Sequence, residues 1–275
     1  MRRAAVLSAA LLLAGLAPSR AERKYELKEL GRKGEKYLQK GAEIAAEFHL
    51  TPESERELGR EVAARLIGRF GIYEDDALTR YVGLVGNTLI RKAKRGGMTY
   101  HFGILNSRSV NAYAAPGGYV FVTRGLLQRL GNEAQLAGVL AHEIVHVDDK
   151  HAIQGIRVMK GAGLGLEKLN GGGGAHRLAE LAVEYIADKG YSRQQETASD
   201  HKGLGILAAS GYHPDGLPAA LKRLYGGEHA PSKGSFDSRH PPLAQRLQEL
   251  DRELKNYPAQ GAILKSRFQK NVVFN

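Results

Sequence analysis

The segment LAGVLAHEIVHVDD, residues 136–149, constrains the fold of this chain more than any other feature of its sequence. Its apolar residues recur at the spacing of a helix that packs against a core. His142, Glu143 and His146 interrupt that pattern with three ionisable side chains. A buried carboxylate beside two imidazoles is costly without a cation or other partners. The segment therefore predicts a helix that combines a core position with a binding site.

The spacing of the two histidines indicates a metal site. His142 and His146 lie four residues apart, so on a helix both imidazoles project from one face about one turn apart, as two ligands of a tetrahedral ion require. Glu143 is close enough to reach a water molecule at that ion. In this His-Glu-x-x-His arrangement, typical of zinc peptidases, the glutamate takes a proton from the water that attacks a carbonyl. The alternative is a pair of core histidines satisfied by neighbouring acids.

A catalytic zinc ion needs a third protein ligand and an open fourth position. The extended pattern H-E-x-x-H-x-x-G-x-x-H would supply a third histidine, but this sequence has Asp149 in place of the glycine and Ala152 in place of the histidine. His151 comes one residue too early to share the metal-facing side of the helix. We therefore predict that His151 lies on the surface or supports a ligand without binding metal itself.

A glutamate from a downstream helix is the other source of a third ligand, and Glu180, Glu184 and Glu196 are the candidates. Glu196 is the most informative, because Asp200 follows four residues later on the same helix face. In that arrangement Glu196 can bind the ion while Asp200 accepts a hydrogen bond from a ligand histidine and fixes its tautomer. The alternative is an ordinary pair of solvated acids.

The rest of the chain predicts further helices and a small sheet. Residues 98–127 are rich in β-branched and aromatic residues, and they predict strands at 100–105 and 119–123 with a turn at APGG. Asn132 is expected to cap the histidine-bearing helix, with Gln135 completing a capping box. Four glycines at 171–174 predict a mobile hairpin tip, or alternatively a lid over the site. Other helices are expected at 51–66, 76–94, 178–188 and 195–209.

The N-terminus has the layout of a secretory signal. Arg2 and Arg3 precede an apolar run, residues 4–17, that is too short to span a bilayer, and Ala21 ends a small-residue cleavage site. We therefore expect residues 1–21 to be removed and the mature chain to have no transmembrane segment.

Charge and cysteine content limit the partners. The full chain has 40 basic and 29 acidic residues, and removing the three arginines of the signal leaves 37 against 29, a net charge of +8. A basic exported protein can contact anionic envelope surfaces, whereas nucleic acid is not an expected partner; solvated surface charge is the simpler alternative. Because there is no cysteine, stability must come from a core rather than from disulfides.

Four motifs resemble one known family in their sequence and order: NAYAAPGGYVFVTRGLL, NEAQLAGVLAHEIVHV, ETASDHKGLGILAASGYHP and SRHPPLAQR. Across residues 55–250 the chain resembles the gluzincin metallopeptidases that include HtpX, the CaaX prenyl proteases and BepA. It is most similar to the periplasmic BepA-like members, without their helical repeat domain. The resemblance implies an α+β fold, predominantly α-helical, with a small β-sheet beside the active-site helix of a zincin-like domain.

The same resemblance implies roles for individual residues. His142, His146 and Glu196 would bind one Zn²⁺ per chain, Glu143 would be the general base, and Asp200 would support the ligands.

Residues outside the ligand set also acquire expected roles. Asn111 and Ala112 would line the substrate cleft beside an edge strand, along which an extended peptide adds as a further strand. His240 would donate to the developing oxyanion or occupy the open zinc position; alternatively it is only a turn residue positioned by the prolines that follow it. Arg246 could pair with Asp200 or hold the cleft.

These observations lead to one functional expectation and two alternatives. We expect a signal at 1–21, a helical arm at 22–50 and a metallopeptidase domain at 51–275. The domain would be a zinc-dependent endopeptidase, exported to the periplasm, that hydrolyses misfolded or unassembled envelope polypeptides. The alternatives are a zinc-containing chaperone or binding module with little proteolysis, and a structural protein without zinc.

Overall fold

The computed structural model describes residues 50–95, 97–161, 174–226 and 242–274. The predicted signal, the predicted arm up to residue 49 and residues 171–173 of the glycine run lie outside these ranges. Within them, no helix combines the length and the apolar character needed to cross a membrane.

The described residues form a mainly helical α+β fold with a small sheet, as predicted. In chain order the elements are α1 (Pro52–Phe70), α2 (Asp76–Ile90), β1 (His101–Leu105), β2 (Ala112–Ala115), β3 (Tyr119–Thr123), α3 (Arg124–Arg129), α4 (Glu133–Asp148), α5 (His151–Gly161), α6 (Gly174–Val183), α7 (Arg193–Ala209), α8 (Gly216–Tyr225), α9 (Leu243–Glu253) and α10 (Lys265–Asn271). The described residues up to residue 157 and from residue 174 onwards group into one compact unit, and every described residue discussed below belongs to it.

Local sequence signals set several helix boundaries. The Thr51 side chain accepts a hydrogen bond from the Ser54 amide and Pro52 follows at the first helical position, as predicted, although α1 continues to Phe70 rather than ending at residue 66. The predicted helix at 178–188 is instead α6 followed by a π-helical turn, Glu184–Lys189.

Only one of the two hydrogen bonds of the predicted capping box is present at the start of α4. Asn132 accepts a hydrogen bond from the Gln135 amide at 2.9 Å, but the Gln135 side chain accepts from the Gly131 amide at 2.7 Å rather than from Asn132. A complete capping box occurs instead at the start of α7, where Ser192 and Gln195 bond each other's amides. A capping side chain therefore defines the first turn of both helices that carry the site.

The sheet has three strands rather than the two predicted. β3 lies in the centre, parallel to β1 and antiparallel to β2. The predicted turn is present as a short 3₁₀ segment, Pro116–Gly118, but it joins β2 to β3. β2 has the sequence AYAA, and alanine has a low strand propensity, so its pairing with β3 rather than its own sequence makes it a strand.

Helix α4 lies at the centre of the fold, and all of its residues are buried. Two glycines allow its neighbours to approach closely. A Cβ on Gly138 of α4 would lie 2.7 Å from the Leu217 backbone of α8, and a Cβ on Gly203 of α7 would lie 3.1 Å from the His142 amide nitrogen. The close approach of α7 places its acidic residues beside the histidines of α4.

Candidate metal centre

His142 and His146 on α4 and Glu196 on α7 form one buried cluster. A ligand atom from each lies within 4.8 Å of the others. The two Nε2 atoms are 3.0 Å apart, and the Glu196 carboxylate oxygens lie 3.5 Å from His146 Nε2 and 3.7 Å from His142 Nε2. The structure therefore brings together the three residues predicted as ligands.

The donor set fits a divalent ion such as zinc. Ligand atoms at tetrahedral zinc distances are separated from one another by about 3.4 Å, and the three separations lie on either side of that value. Two imidazoles and one carboxylate are also a donor set that zinc prefers. The cluster can therefore hold the ion with little rearrangement.

The other two candidate glutamates lie outside this cluster. Glu180 is partly exposed and pairs with Arg177 at 2.7 Å, and Glu184 is partly exposed and pairs with Lys189 at 3.1 Å. Both carboxylates are used in surface ion pairs.

Asp200 supports His142 from the side away from the cluster. Its Oδ1 lies 2.9 Å from His142 Nδ1. Arg246 donates to both oxygens of Asp200, at 2.7 and 2.6 Å, as one of its two predicted roles requires. Burial alone would raise the pKa of Asp200, but the charge and hydrogen bonds of Arg246 and His142 outweigh it and hold the pKa at about 2. Asp200 is therefore ionised, and its Oδ1 is close enough to act as a hydrogen-bond acceptor for His142 Nδ1.

Arg246 also reaches a ligand directly, which the sequence did not indicate. Its guanidinium lies 3.4 Å from Glu196, and it is only 3% exposed. A cation buried beside two carboxylates lowers the electrostatic cost of holding both ionised.

The surface interpretation of His151 is wrong, whereas the supporting one agrees with the structure. His151 is 4% exposed, and its Nδ1 lies 2.8 Å from His146 Nδ1. The helix does not continue to His151, because Lys150 adopts a left-handed φ of 56° that turns the chain back towards the cluster. If His146 binds metal through Nε2, its proton is on Nδ1. His151 Nδ1 then accepts a hydrogen bond from that N–H group.

Tyr191 is a site residue that no sequence pattern indicated. It lies between the π-helical turn and α7, and its ring stacks on His146 with centroids 3.9 Å apart. Its hydroxyl donates to the Ala114 carbonyl of β2 at 3.1 Å. Tyr191 thus connects a ligand histidine to the sheet.

Glu143 faces the cleft beside the cluster and is 8% exposed. Burial raises the pKa of its carboxyl to about 7. A carboxyl with that pKa can both take up and release a proton near neutral pH, which is the property of a general base that later acts as an acid.

The cleft has one wall from the sheet and one from α8. Asn111 and Ala112, predicted to line the substrate site, lie on its sheet side, and apolar residues of α8 lie opposite. His240 lies outside the described residues, so its predicted role at the oxyanion stays a prediction.

Known proteins provide independent comparisons. The sequence model described as peptidase family M48 matches residues 76–254. The chain is 26% identical over 239 residues to the beta-barrel assembly-enhancing protease of Escherichia coli K12, covering 80% of this chain and 45% of that protein. It is 29% identical over 161 residues to the protein of that name from Yersinia pestis, covering 54% of this chain and 33% of that protein. It is also 26% identical over 178 residues to the mitochondrial metalloendopeptidase OMA1 of Schizosaccharomyces pombe, covering 63% of this chain and 52% of that protein.

The chain spans about half the length, or less, of these curated relatives. The region matched by the family model begins at α2 and ends after α9, so it contains every residue of the metal cluster and of its supporting shell. The family resemblance inferred from the four motifs is confirmed, and the chain belongs to peptidase family M48.

Proposed function

We propose that this chain is a zinc-dependent endopeptidase. The observation that carries the proposal is the buried cluster of two imidazoles and one carboxylate, with the Glu143 carboxyl in the same cleft. A zinc ion bound there would polarise a carbonyl oxygen and lower the pKa of a coordinated water.

The protein's own residues provide the proton transfers. Glu143 accepts a proton from the water that attacks the peptide carbonyl, and it delivers that proton to the nitrogen of the leaving amine. The raised pKa of Glu143 suits both steps, because neither protonation state is strongly disfavoured near neutral pH.

Two neighbouring residues keep the ligand imidazoles in the correct tautomer. In this proposal the Asp200 carboxylate, 2.9 Å from His142 Nδ1, and His151 Nδ1, 2.8 Å from His146 Nδ1, are the hydrogen-bond acceptors for the Nδ1–H groups of the two ligands. With the proton on Nδ1, the Nε2 atom of each ligand histidine has a free lone pair that points at the cluster.

We propose misfolded or unassembled envelope polypeptides as substrates and the periplasm as the location. Support comes from the signal pattern at residues 1–21 and from relatives named beta-barrel assembly-enhancing protease in Escherichia coli and Yersinia pestis. Contact of the basic surface with anionic envelope surfaces belongs to the same proposal.

Metal content is the first test of this proposal. Mass spectrometry of the purified chain should find about one zinc ion per wild-type molecule, little in Glu196→Ala, and the wild-type amount in Glu180→Ala. Glu180→Ala is the matched control because its carboxylate pairs with Arg177 at the surface. A wild-type protein that binds no divalent ion even after reconstitution would rule out the endopeptidase.

Proteolysis tests the role of Glu143 and separates the enzyme from the alternative chaperone. Glu143→Gln should keep its zinc but lose about 10²- to 10⁴-fold in the rate of casein cleavage, since the general base is removed without removing a ligand. If Glu143→Gln binds zinc and still performs the cellular function of the wild type, the zinc-containing binding module is the correct function.

A further inference from the structure

One edge of the sheet, beside the cleft, carries backbone groups that do not pair with β3. Within the described residues, β2 pairs with β3 on one side and with no strand on the other. The Thr123 amide donates to the Asn111 carbonyl, and the register continues from Ala112 opposite Val122. Because hydrogen-bonded and non-hydrogen-bonded pairs alternate along an antiparallel ladder, Ala112 and Ala114 direct their amides and carbonyls away from β3.

Two side chains occupy these outward groups. The Ala112 amide donates to Oδ1 of Asn111 at 3.0 Å, and the Ala114 carbonyl accepts from the Tyr191 hydroxyl at 3.1 Å. We call these two side-chain contacts the edge cap. They satisfy backbone groups that an added peptide strand would otherwise satisfy.

The Ala114 carbonyl is also covered. Ala114 is 1% exposed, whereas Tyr191 above it is partly exposed. A peptide therefore reaches this carbonyl only when the Tyr191 hydroxyl leaves it.

Tyr191 lies in a short connection between the π-helical turn and α7. The π-helical turn before it ends at Gly190, which adopts a φ of 78°, and the capping box of α7 begins immediately after it at Ser192. Single π-helical turns occur often at functional sites. Tyr191 thus lies between two fixed elements and contributes its ring to His146 and its hydroxyl to β2.

We propose that Tyr191 closes the substrate edge of β2 in the free enzyme and releases the Ala114 carbonyl to an incoming extended polypeptide. This inference rests on the proposed peptidase function. It assigns Tyr191 a role in substrate affinity, in which its hydroxyl competes with the substrate amide for one acceptor.

Competition of this kind predicts which kinetic constant changes. Tyr191→Phe keeps a ring to stack on His146 but removes the hydroxyl, so the buried carbonyl stays unpaired until a peptide binds. Pairing this carbonyl with the peptide is then more favourable than in the wild type, by the same free energy in the bound substrate and in the transition state. The substitution therefore lowers KM without changing kcat. One neutral hydrogen bond corresponds to a decrease in KM of about three- to tenfold.

The experiment compares wild type, Tyr191→Phe and Tyr185→Phe in cleavage of a casein peptide whose scissile bond has been mapped by mass spectrometry. Tyr185 is the matched control, since its ring contacts Tyr191 edge-on while its hydroxyl donates to Gln195 rather than to β2. Zinc content is measured for all three, and it should be equal. We expect a lower KM and an unchanged kcat for Tyr191→Phe alone.

Other outcomes overturn the inference. A lower kcat with unchanged KM would make the hydroxyl a donor to the transition state, a higher KM would make it a direct substrate contact, and unchanged constants would show that it does not compete. Each of these leaves the proposed peptidase intact, because the wild type still cleaves the peptide. Absence of zinc and of cleavage in the wild type would instead reject the peptidase itself.

Discussion

At the scale of single residues, the site depends on how each imidazole is held as much as on which residues bind the ion. His146 is fixed by two neighbours, with His151 at its Nδ1 and the ring of Tyr191 stacked against its face. Residues that orient a ligand through its second nitrogen typically change metal affinity about 10- to 100-fold when removed. If the centre binds zinc as proposed, its zinc affinity is therefore a sensitive readout of these contacts.

Removing the His151 side chain should weaken metal binding, because it supports the ligand His146. His151→Ala leaves the Nδ1 proton of His146 without its buried acceptor, and we expect zinc affinity, measured by competition with a chelating dye, to fall about 10- to 100-fold. His151→Gln, whose side-chain oxygen can accept the same proton, should recover part of the loss. The control is His176→Ala, whose side chain is 67% exposed. Equal zinc affinity in wild type and His151→Ala would contradict the positioning role.

The two histidine candidates were predictable because helical periodicity decides which residues share a face, whereas Glu196 was selected from three glutamates by the family resemblance of its motif. His142 with His146, and Glu196 with Asp200, are each four residues apart on one helix. His151 was not predictable in the same way, because its direction depends on the left-handed backbone of Lys150, and a non-glycine residue rarely adopts that conformation. Tyr191 depends on a long-range contact with β2, which no local pattern encodes.

At the scale of elements, the site is assembled by helices that pack unusually close to α4. Helices α1, α2, α4 and α7 were predicted because their apolar periodicity and capping residues are local features, whereas α3, α5, α8, α9 and α10 were not predicted. β2 was missed since its alanines carry no strand signal, and the division between α6 and the π-helical turn was missed since the pattern of apolar residues continues through it. The closeness of α4 to α8 depends on Gly138.

Gly138→Ala should destabilise the fold by about 1–3 kcal/mol, because the added methyl group meets the Leu217 backbone and α8 must shift. Gly83→Ala in α2 is the matched control, since no atom lies within 4 Å of its added methyl. There alanine should instead stabilise the helix by about 0.5–1 kcal/mol. Urea unfolding of both variants measures the two changes, and a Gly138→Ala variant at least as stable as the wild type would show that the helix contact is not tight.

At the scale of the whole molecule, the end of the described chain returns to the start of the active-site helix. Glu133, the first residue of α4, is fully buried and accepts hydrogen bonds from Tyr81, Tyr212 and Arg267 of α10. Burial alone would raise the pKa of Glu133, but the hydrogen bonds from these three residues outweigh it and hold the pKa below its usual 4.5. This long-range cluster joins α2, α4 and α10.

The lowered pKa of Glu133 gives the stability of the molecule a defined pH dependence. A carboxyl whose pKa is lower in the folded state than in the unfolded state stabilises the folded protein. That contribution is complete at a pH above the unfolded-state pKa, and it is lost as the pH falls through the folded-state pKa. Glu133→Gln should therefore be less stable than wild type by about 1–3 kcal/mol at pH 7, and the difference should narrow below about pH 4.5. Urea unfolding between pH 7 and pH 3 measures this. Glu57→Gln, on the exposed surface of α1, is the control for the substitution itself, and a constant difference between Glu133→Gln and wild type across this pH range would contradict the assignment.

The complete burial of α4 also determines where this protein can be redesigned. Each of its positions either belongs to the metal centre or fills space against another element, so a substitution on this helix changes the metal centre, the packing or both. Residues of β2 and α8 that line the cleft do not belong to the ligand set. A library that aims at new cleavage preferences should therefore vary the walls and leave the helix unchanged.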